Sequence, residues 1–414
     1  MSDIKTIARF PSGVVELPSS KSISHRAIIC AGLAPGDSII RRLSGSDDIA
    51  ATIACMTALG ARIEAKQDTL MISGALPCPR GPLDCGESGT TLRLLIPLAA
   101  LGTQEARFTG RGRLLSRPLD AYLQTLAAHG AACSLPDGGP LTIRDPLVFG
   151  VYSLPGDVSS QFVSGLLLAL PLLPGDSEIH LTTPLQSAAY VGLTLDMMAQ
   201  FGVRAEYDGG RRFAVPGGQI YRPADLTLEA DYSQAAFFLA AGALGRPCEL
   251  RGLSAASRQG DRQIVDLIAQ IGARPERTSG GLIAYPGELH ALTVDVSDIP
   301  DLVPPLAALL ALADGTSRLT NAARLRHKES DRLAAISGAL GALGASVAVE
   351  GDSLVITGKP QLRGGAMDSC GDHRIAMMGA VAAIRCDTPV TIAGSECVAK
   401  SYPDFWLDFE KTPG

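Results

Sequence analysis

The chain has 414 residues, 46% of them hydrophobic and 19% charged, with a formal charge of −6. It is long enough for two or three domains with large cores, and too acidic overall to attract nucleic acid or an anionic membrane surface. No stretch reaches the roughly 18 consecutive apolar residues of a membrane span, and no apolar run follows a basic patch at the N-terminus, so a cytoplasmic protein is expected.

Taken from the N-terminus, RAIICAGLAPGDSII (26–40) is apolar almost all round before it turns into a strand, and MTALGARIE (56–64) ends an amphipathic helix on a glycine before a strand. The same two kinds of segment recur as LRLLIPLAALGTQEARF (92–108) and LAAHGAACS (126–134), then FVSGLLLALPLLPGDSEIHL (162–181) and MAQFGVRAE (198–206). They return as AAFFLAAGALGRPCEL (235–250) and IAQIGARPE (268–276), VPPLAALLALADGTSRLT (303–320) and GALGASVAVE (341–350), and last as RIAMMGAVAAIRCDTPVTI (374–392). The closing glycines, Gly60, Gly130, Gly202, Gly272 and Gly344, are spaced 70, 72, 70 and 72 residues apart and suit a left-handed cap after a helix. Six copies of about 69 residues fill the chain. A helix that is apolar on every side must be buried, whereas an amphipathic one keeps a wet face. Each unit is therefore read as one buried and one surface helix with short strands between and after them. Two domains of three units follow, of α/β class, with mixed sheets packed around internal helices.

The nine cysteines never form CxxC and mostly sit in apolar surroundings, which predicts free thiols packed as small hydrophobes, without disulfides or zinc. No His, Cys and carboxylate cluster has ligand spacing, so neither a metal nor an organic cofactor is implied. The polar residues gather instead where the buried helices begin: SSKSISHR (19–26), CGESGTTLR (85–93), GDVSSQF (156–162), ADYSQAA (230–236), DIPDLVPP (298–305) and GDHRIAM (371–377). Unpaired N–H groups and the positive end of the helix dipole make such starts anion sites. For Ser, Thr and Asp the plain reading is N-capping, which coexists with ligand contact. The cations Lys21, Arg374 and Lys400 interrupt small or apolar surroundings, where an unpaired charge is costly and has a partner.

The motifs PSSKSISHRA, GESGTTLR, the Arg of LLSRP, SSQF, the Gln-Ser…Tyr of LQSAAYVGLTLDMM, IPD, LRHKESDR, GDHRIAM and VAKSYPDF stand in the order found in the 5-enolpyruvylshikimate-3-phosphate synthase family. From about residue 10 to 407 the chain resembles that family. The resemblance implies transfer of the enolpyruvyl group from phosphoenolpyruvate to the 5-hydroxyl of shikimate 3-phosphate, with release of phosphate, on the route to aromatic amino acids. It also implies a two-domain inside-out α/β barrel of six βαβαββ repeats, three per domain, with buried internal helices. Residues 1–20 and 229–414 would form the first domain, carrying the catalytic carboxylates; residues 21–228 would form the second, the shikimate 3-phosphate-binding half.

Carried over motif by motif, Lys21, Ser22, Arg26, Ser159, Ser160, Gln161, Ser187, Asp301 and Lys328 resemble the family's shikimate 3-phosphate site. Lys21, Gly89, Arg117, Gln161, Arg332, Arg374 and Lys400 resemble its phosphoenolpyruvate site, where the herbicide glyphosate competes in sensitive members. Asp301 matches the family's base and Glu329 its acid, with Lys21 spanning both ligands as the third catalytic group. The chemistry needs such groups: a hydroxyl is a poor nucleophile until a carboxylate takes its proton, and C3 of the enol must be protonated from another side. Glu329 lies beside Lys328 and near Arg332, and such cations favour its ionised form, against its role as an acid.

Three positions depart from the commoner pattern. Glu87 replaces an Asn and adds negative charge near the phosphoenolpyruvate site, Ala189 replaces a Pro before Tyr190, and Arg324 takes the place of a substrate-binding Asn. The sister transferase that acts on UDP-N-acetylglucosamine uses a cysteine on a loop before the residue matching Arg117, and here no Cys lies between Cys85 and Cys133. A non-catalytic binding protein built from the same repeats is disfavoured by the presence together of Lys21, Asp301 and Glu329. The expected partners are the two small-molecule substrates, with no nucleic acid and no membrane, and the expected state is a monomer.

Overall fold

A helix with no polar face can exist in water only when other elements cover it, and six helices among the described residues are buried along most of their length. In the structure, a computed structural model that describes residues 3–411, they alternate with partly exposed ones. The buried α1 (Lys21–Leu33) is followed by α2 (Asp47–Ala58), α3 (Gly89–Ala99) by α4 (Asp120–Ala127), and α5 (Ser160–Ala169) by α6 (Ala188–Gln200). The pattern continues with α7 (Tyr232–Ala243) and α8 (Ile264–Ile271), α9 (Val303–Leu310) and α10 (Arg332–Ala342), then α11 (His373–Ala382) and the short α12 (Phe405–Phe409). Every residue of α7 and of α11 is buried. Small residues permit the close packing: a Cβ on Gly165 of α5 would lie 2.5 Å from the Tyr122 hydroxyl and 2.6 Å from the Arg93 carbonyl oxygen. None of these helices is long and apolar enough to cross a membrane.

The chain divides into two compact units, one of Lys21–Leu228 and the other of the residues up to Ser20 together with those from Glu229 onward. Each has its own apolar core. Five sheets have four strands in one arrangement: the first strand pairs in parallel with the second across the buried helix, and the last pairs antiparallel with both the second and the third. In Lys21–Leu228 the opening strand of the first repeat is borrowed from its far end, where Asp225–Thr227 runs parallel to Gly36–Arg41. In the other unit Val14–Glu16 opens the sheet of Glu249–Arg251, and Ile4–Ile7 pairs antiparallel with Val390–Ala393. The six repeats read from the sequence are therefore present, three in each unit, although not in simple chain order.

The sixth repeat departs from the expected pattern. Its sheet has three strands, and in place of a full surface helix it has a 3-10 turn (Ser395–Lys400) and the five residues of α12. Aromatic packing replaces the missing helix: Phe405 lies 5.2 Å from Phe409, 5.8 Å from Phe238 and 5.8 Å from Tyr402 between ring centroids. Such offset and edge contacts stabilise beyond the area they bury.

The five closing glycines all take positive φ, from +79° at Gly202 to +110° at Gly60 and Gly272. Gly272 ends α8, and a Cβ there would also overlap the carbonyl oxygen of Glu288. Gly272→Ala is expected to destabilise its unit by about 3 kcal/mol, the upper end of the scale for a strained left-handed residue. Chemical denaturation would check this, and a change below roughly 0.5 kcal/mol would show that the backbone relaxes freely there.

Candidate active site

In the unit from Glu229 onward, the starts of the buried helices α9 and α11 and of α10 bring charged groups together. Asp301 lies in the 3-10 turn Pro300–Leu302 that leads into α9, Arg332 is the first residue of α10, Asp372 caps α11 and Arg374 lies in its first turn. Lys328 and Glu329 occupy the short connection that enters α10.

Arg332 is the hub of this cluster, with its side chain 1% exposed. A buried guanidinium must be neutralised and hydrogen-bonded. Its Nε donates to Asp372 Oδ2 at 2.7 Å, its Nη1 to Asp301 Oδ1 at 2.9 Å, and its Nη2 to Glu329 and Asp372. Burial works against its charge, but Asp372, Glu329 and Asp301 outweigh that and bind its proton more firmly than in water. Arg374 donates through Nη2 to Asp301 Oδ2 and to Ser233 Oγ, each at 3.0 Å, and through Nη1 to the Asp301 carbonyl at 3.1 Å. Lys328 Nζ stands 3.8 Å from Asp301 Oδ1. Burial alone would push the Asp301 carboxyl up, yet Arg374, Lys328 and Arg332 together hold it well below the usual carboxylate range. Lys400 donates to the carbonyl of Gly371 at 2.9 Å, beside the cap of α11.

The structure thus assembles Asp301, Lys328, Glu329, Arg332 and Arg374 into one constellation. Asp372 was missed by sequence reasoning, because an Asp before a helix reads as a cap. It does cap α11, accepting from the Arg374 amide at 3.0 Å, but its fully buried carboxylate also holds Arg332 and accepts from Ser330 Oγ at 3.1 Å. Ser233 was likewise unread. His373 is buried, its Nδ1 3.9 Å from Asp372. Arg324, set aside on sequence, acts on the cluster through its charge, which lowers the pKa of Lys328.

In the unit Lys21–Leu228 the starts of α1, α3 and α5 carry the corresponding groups. Lys21 opens α1 and pairs with Asp48 Oδ2 at 2.7 Å. A chain of short contacts runs behind it from His25 to Thr52 (2.6 Å), Thr91 (2.7 Å) and Ser88 (2.8 Å), which caps α3. Burial, with help from Lys21 and Arg26, holds the His25 imidazole well below its usual value, so this chain is neutral.

Arg26 is buried and donates from Nε to Thr194 at 2.7 Å, from Nη1 to the Ser22 carbonyl at 2.7 Å, and from Nη2 to the Tyr190 carbonyl at 2.9 Å. Its guanidinium is tied to α6 and to its own helix, and burial pulls its pKa down to about 10. Ser159 caps α5, Ser160 begins it, and Ser187 precedes α6 at a left-handed φ of +56°. Gln161 accepts from Arg93 Nη1 at 2.9 Å and donates to Thr90 Oγ1 at 2.8 Å, which joins the starts of α3 and α5. A Cβ on Gly89 would lie 2.8 Å from Arg117 Nη1 and 3.6 Å from Arg93 Nη1, so both guanidiniums face this bare helix start. Arg93 closes the CGESGTTLR run, but no role was given to it on sequence. The carboxylate of Glu87 rests against Gly112, on the loop that leads to Arg117, because a Cβ on Gly112 would lie 3.2 Å from it.

A family model described as EPSP synthase (3-phosphoshikimate 1-carboxyvinyltransferase) matches residues 6–409. A 3-phosphoshikimate 1-carboxyvinyltransferase of Clostridium kluyveri is 46% identical over 405 residues, covering 97% of this chain and 95% of the relative. Its counterpart in Clostridium novyi is 43% identical, covering 100% and 98%. Among solved structures, the EPSP synthase of Acinetobacter baumannii superposes with a TM-score of 0.80 at 28% identity, over 98% of this chain and 97% of that one. The enolpyruvyl transferase NikO of Streptomyces tendae, 19% identical with a TM-score of 0.78, shares the fold.

Proposed function

The chain belongs to the EPSP synthase (3-phosphoshikimate 1-carboxyvinyltransferase) family, and we propose that the two clusters of side chains described above supply the groups for its reaction. That reaction moves the enolpyruvyl group of phosphoenolpyruvate to the 5-hydroxyl of shikimate 3-phosphate and releases phosphate, in aromatic amino acid biosynthesis.

In this reading Asp301 takes the hydroxyl proton as the oxygen attacks C2, and Glu329, which must first exchange its ion pair with Arg332 for a proton, protonates C3. Lys21 touches both substrates and offsets charge on the departing phosphate, an electrostatic role that a positioned cation fills well. Lys21, Ser22, Arg26, Ser159, Ser160, Gln161, Ser187, Asp301 and Lys328 hold shikimate 3-phosphate. Lys21, Gly89, Arg117, Gln161, Arg332, Arg374 and Lys400 hold phosphoenolpyruvate.

The observation that carries this reading is the constellation around Asp301, in which three cations and two further carboxylates meet at the starts of α9, α10 and α11, with Arg332, Arg374 and Asp372 buried. Bare helix starts and guanidiniums suit phosphate and carboxylate ligands. Arg26 has five N–H groups, and its bonds to Thr194, Ser164 and the Ser22 and Tyr190 carbonyls use four of them, so one remains to meet a ligand. Phosphate release that requires both phosphoenolpyruvate and shikimate 3-phosphate is the direct test. Release from phosphoenolpyruvate alone would overturn the reading.

Gly89→Ala probes the assignment of the α3 start. The added methyl would lie against Arg117 Nη1 and displace it. The KM for phosphoenolpyruvate is expected to rise at least about tenfold, equivalent to roughly 1.4 kcal/mol, and inhibition by glyphosate to weaken more than substrate binding. Steady-state kinetics with and without glyphosate would decide it, and unchanged values for both would remove Gly89 from the site.

A further inference from the structure

Asp301 is surrounded by groups that prevent it from keeping a proton. Oδ1 accepts from Arg332 Nη1 at 2.9 Å, Oδ2 accepts from Arg374 Nη2 at 3.0 Å, and Lys328 Nζ stands 3.8 Å from Oδ1. Guanidinium groups stay protonated in proteins. Of these three cations, Lys328 is the one that can give up a proton and take one back. We propose that Lys328 is the proton carrier of the reaction: its neutral amine receives, through the Asp301 carboxylate, the proton of the attacking 5-hydroxyl. This rests on the role given to Asp301 above.

The charges that face Lys328 support such a role. Burial lowers its pKa most, Asp301 opposes, Arg332 and Arg324 lower it further and Glu329 opposes, which leaves it at about 8. A base is most effective when its pKa lies near the working pH. Asp301, held far below that, is suited to passing a proton on and not to storing one. Its side chain is partly buried, 28% exposed, so the group lies between the core and solvent.

The step balances. The O–H bond breaks and an O–C2 bond forms, the C2=C3 electron pair takes a proton from Glu329 at C3, and Lys328 becomes an ammonium. In the elimination C3 returns its proton to Glu329, the double bond reforms and the C2–O bond to phosphate breaks. Lys328 releases its proton to solvent, and the departing phosphate takes up one proton from solvent to leave as the hydrogen phosphate dianion. Each turnover restores both side chains.

Lys328→Arg keeps the charge and removes the ability to carry the proton. We expect kcat at saturating substrates to fall by about 10²-fold or more, and the rise of kcat with pH through the Lys328 titration to disappear. Calorimetry should place the Kd for shikimate 3-phosphate within about tenfold of the parent. In Lys328→Ala, small alkylamines should restore part of kcat and guanidinium ion should not. Retention of kcat within about threefold in Lys328→Arg, or rescue of Lys328→Ala by guanidinium as well as by amines, would show a charge-only role and overturn the proposal. An inactive Asp301→Asn beside an active Lys328→Arg would remove the relay and leave Asp301 as the base. An active Asp301→Asn would remove the Asp301 assignment itself.

Discussion

Asp301→Asn is expected to keep the fold and bind shikimate 3-phosphate while lowering kcat by about 10²-fold or more, the usual scale for loss of a general base. The amide matches the carboxylate in size, so the packing around the α9 start is preserved. It cannot accept the hydroxyl proton, and it leaves Arg332, Arg374 and Lys328 with one negative charge fewer among them. Stopped-time phosphate assays together with calorimetric binding would separate the two effects. Turnover near that of the parent in a correctly folded sample would exclude Asp301 as the base. The loss of charge also has a pH signature in stability. A carboxyl whose folded pKa is depressed stabilises the fold above its unfolded value, near 4, and loses that contribution as pH falls through the depressed folded value. The Tm difference between parent and variant should therefore be full at neutral pH and shrink below about pH 4.

Asp372→Ala is expected to produce the largest stability loss. Asp372 is fully buried, bonds Arg332 through both oxygens, accepts from Ser330 and caps α11. Its removal leaves a buried guanidinium short of a counter-charge, which costs about 3–5 kcal/mol when one partner of a buried pair is lost, and it uncaps the helix that carries Arg374. Chemical denaturation should show that loss. Where enough folded enzyme survives, the KM for phosphoenolpyruvate should rise because Arg332 and Arg374 are both released. A loss under about 1 kcal/mol would mean that water replaces the carboxylate, against the burial seen here.

The buried helices and their glycine-closed neighbours could be read from the chain because they depend on local pattern: a helix without a polar face and a glycine at each closing turn keep their meaning in any context. The motif residues could be read because short runs of chain place them at helix starts. Asp372 could not, since its bond to Arg332 spans 40 residues and the sequence signal of a cap and that of a buried counter-ion are the same letter. Arg93 failed for a similar reason, because its partner Gln161 lies 68 residues away. The sixth repeat misled in another way: its buried helix repeats the pattern, but Ile4–Ile7 and an aromatic cluster supply what a strand and a longer helix supply elsewhere.

By itself, then, the sequence determined the six-fold alternation of buried and surface helices, the gathering of polar residues at the buried helix starts, and the candidate residues named by motif. Only the tertiary structure decided which charges neutralise one another: that Arg332 is shared among Asp301, Glu329 and Asp372, that Lys21 rests on Asp48, and that Arg26 is committed to α6. The physical reason is range. Periodicity and caps act over a few residues, whereas a buried charge is stable only when distant segments deliver its partners to within about 3 Å.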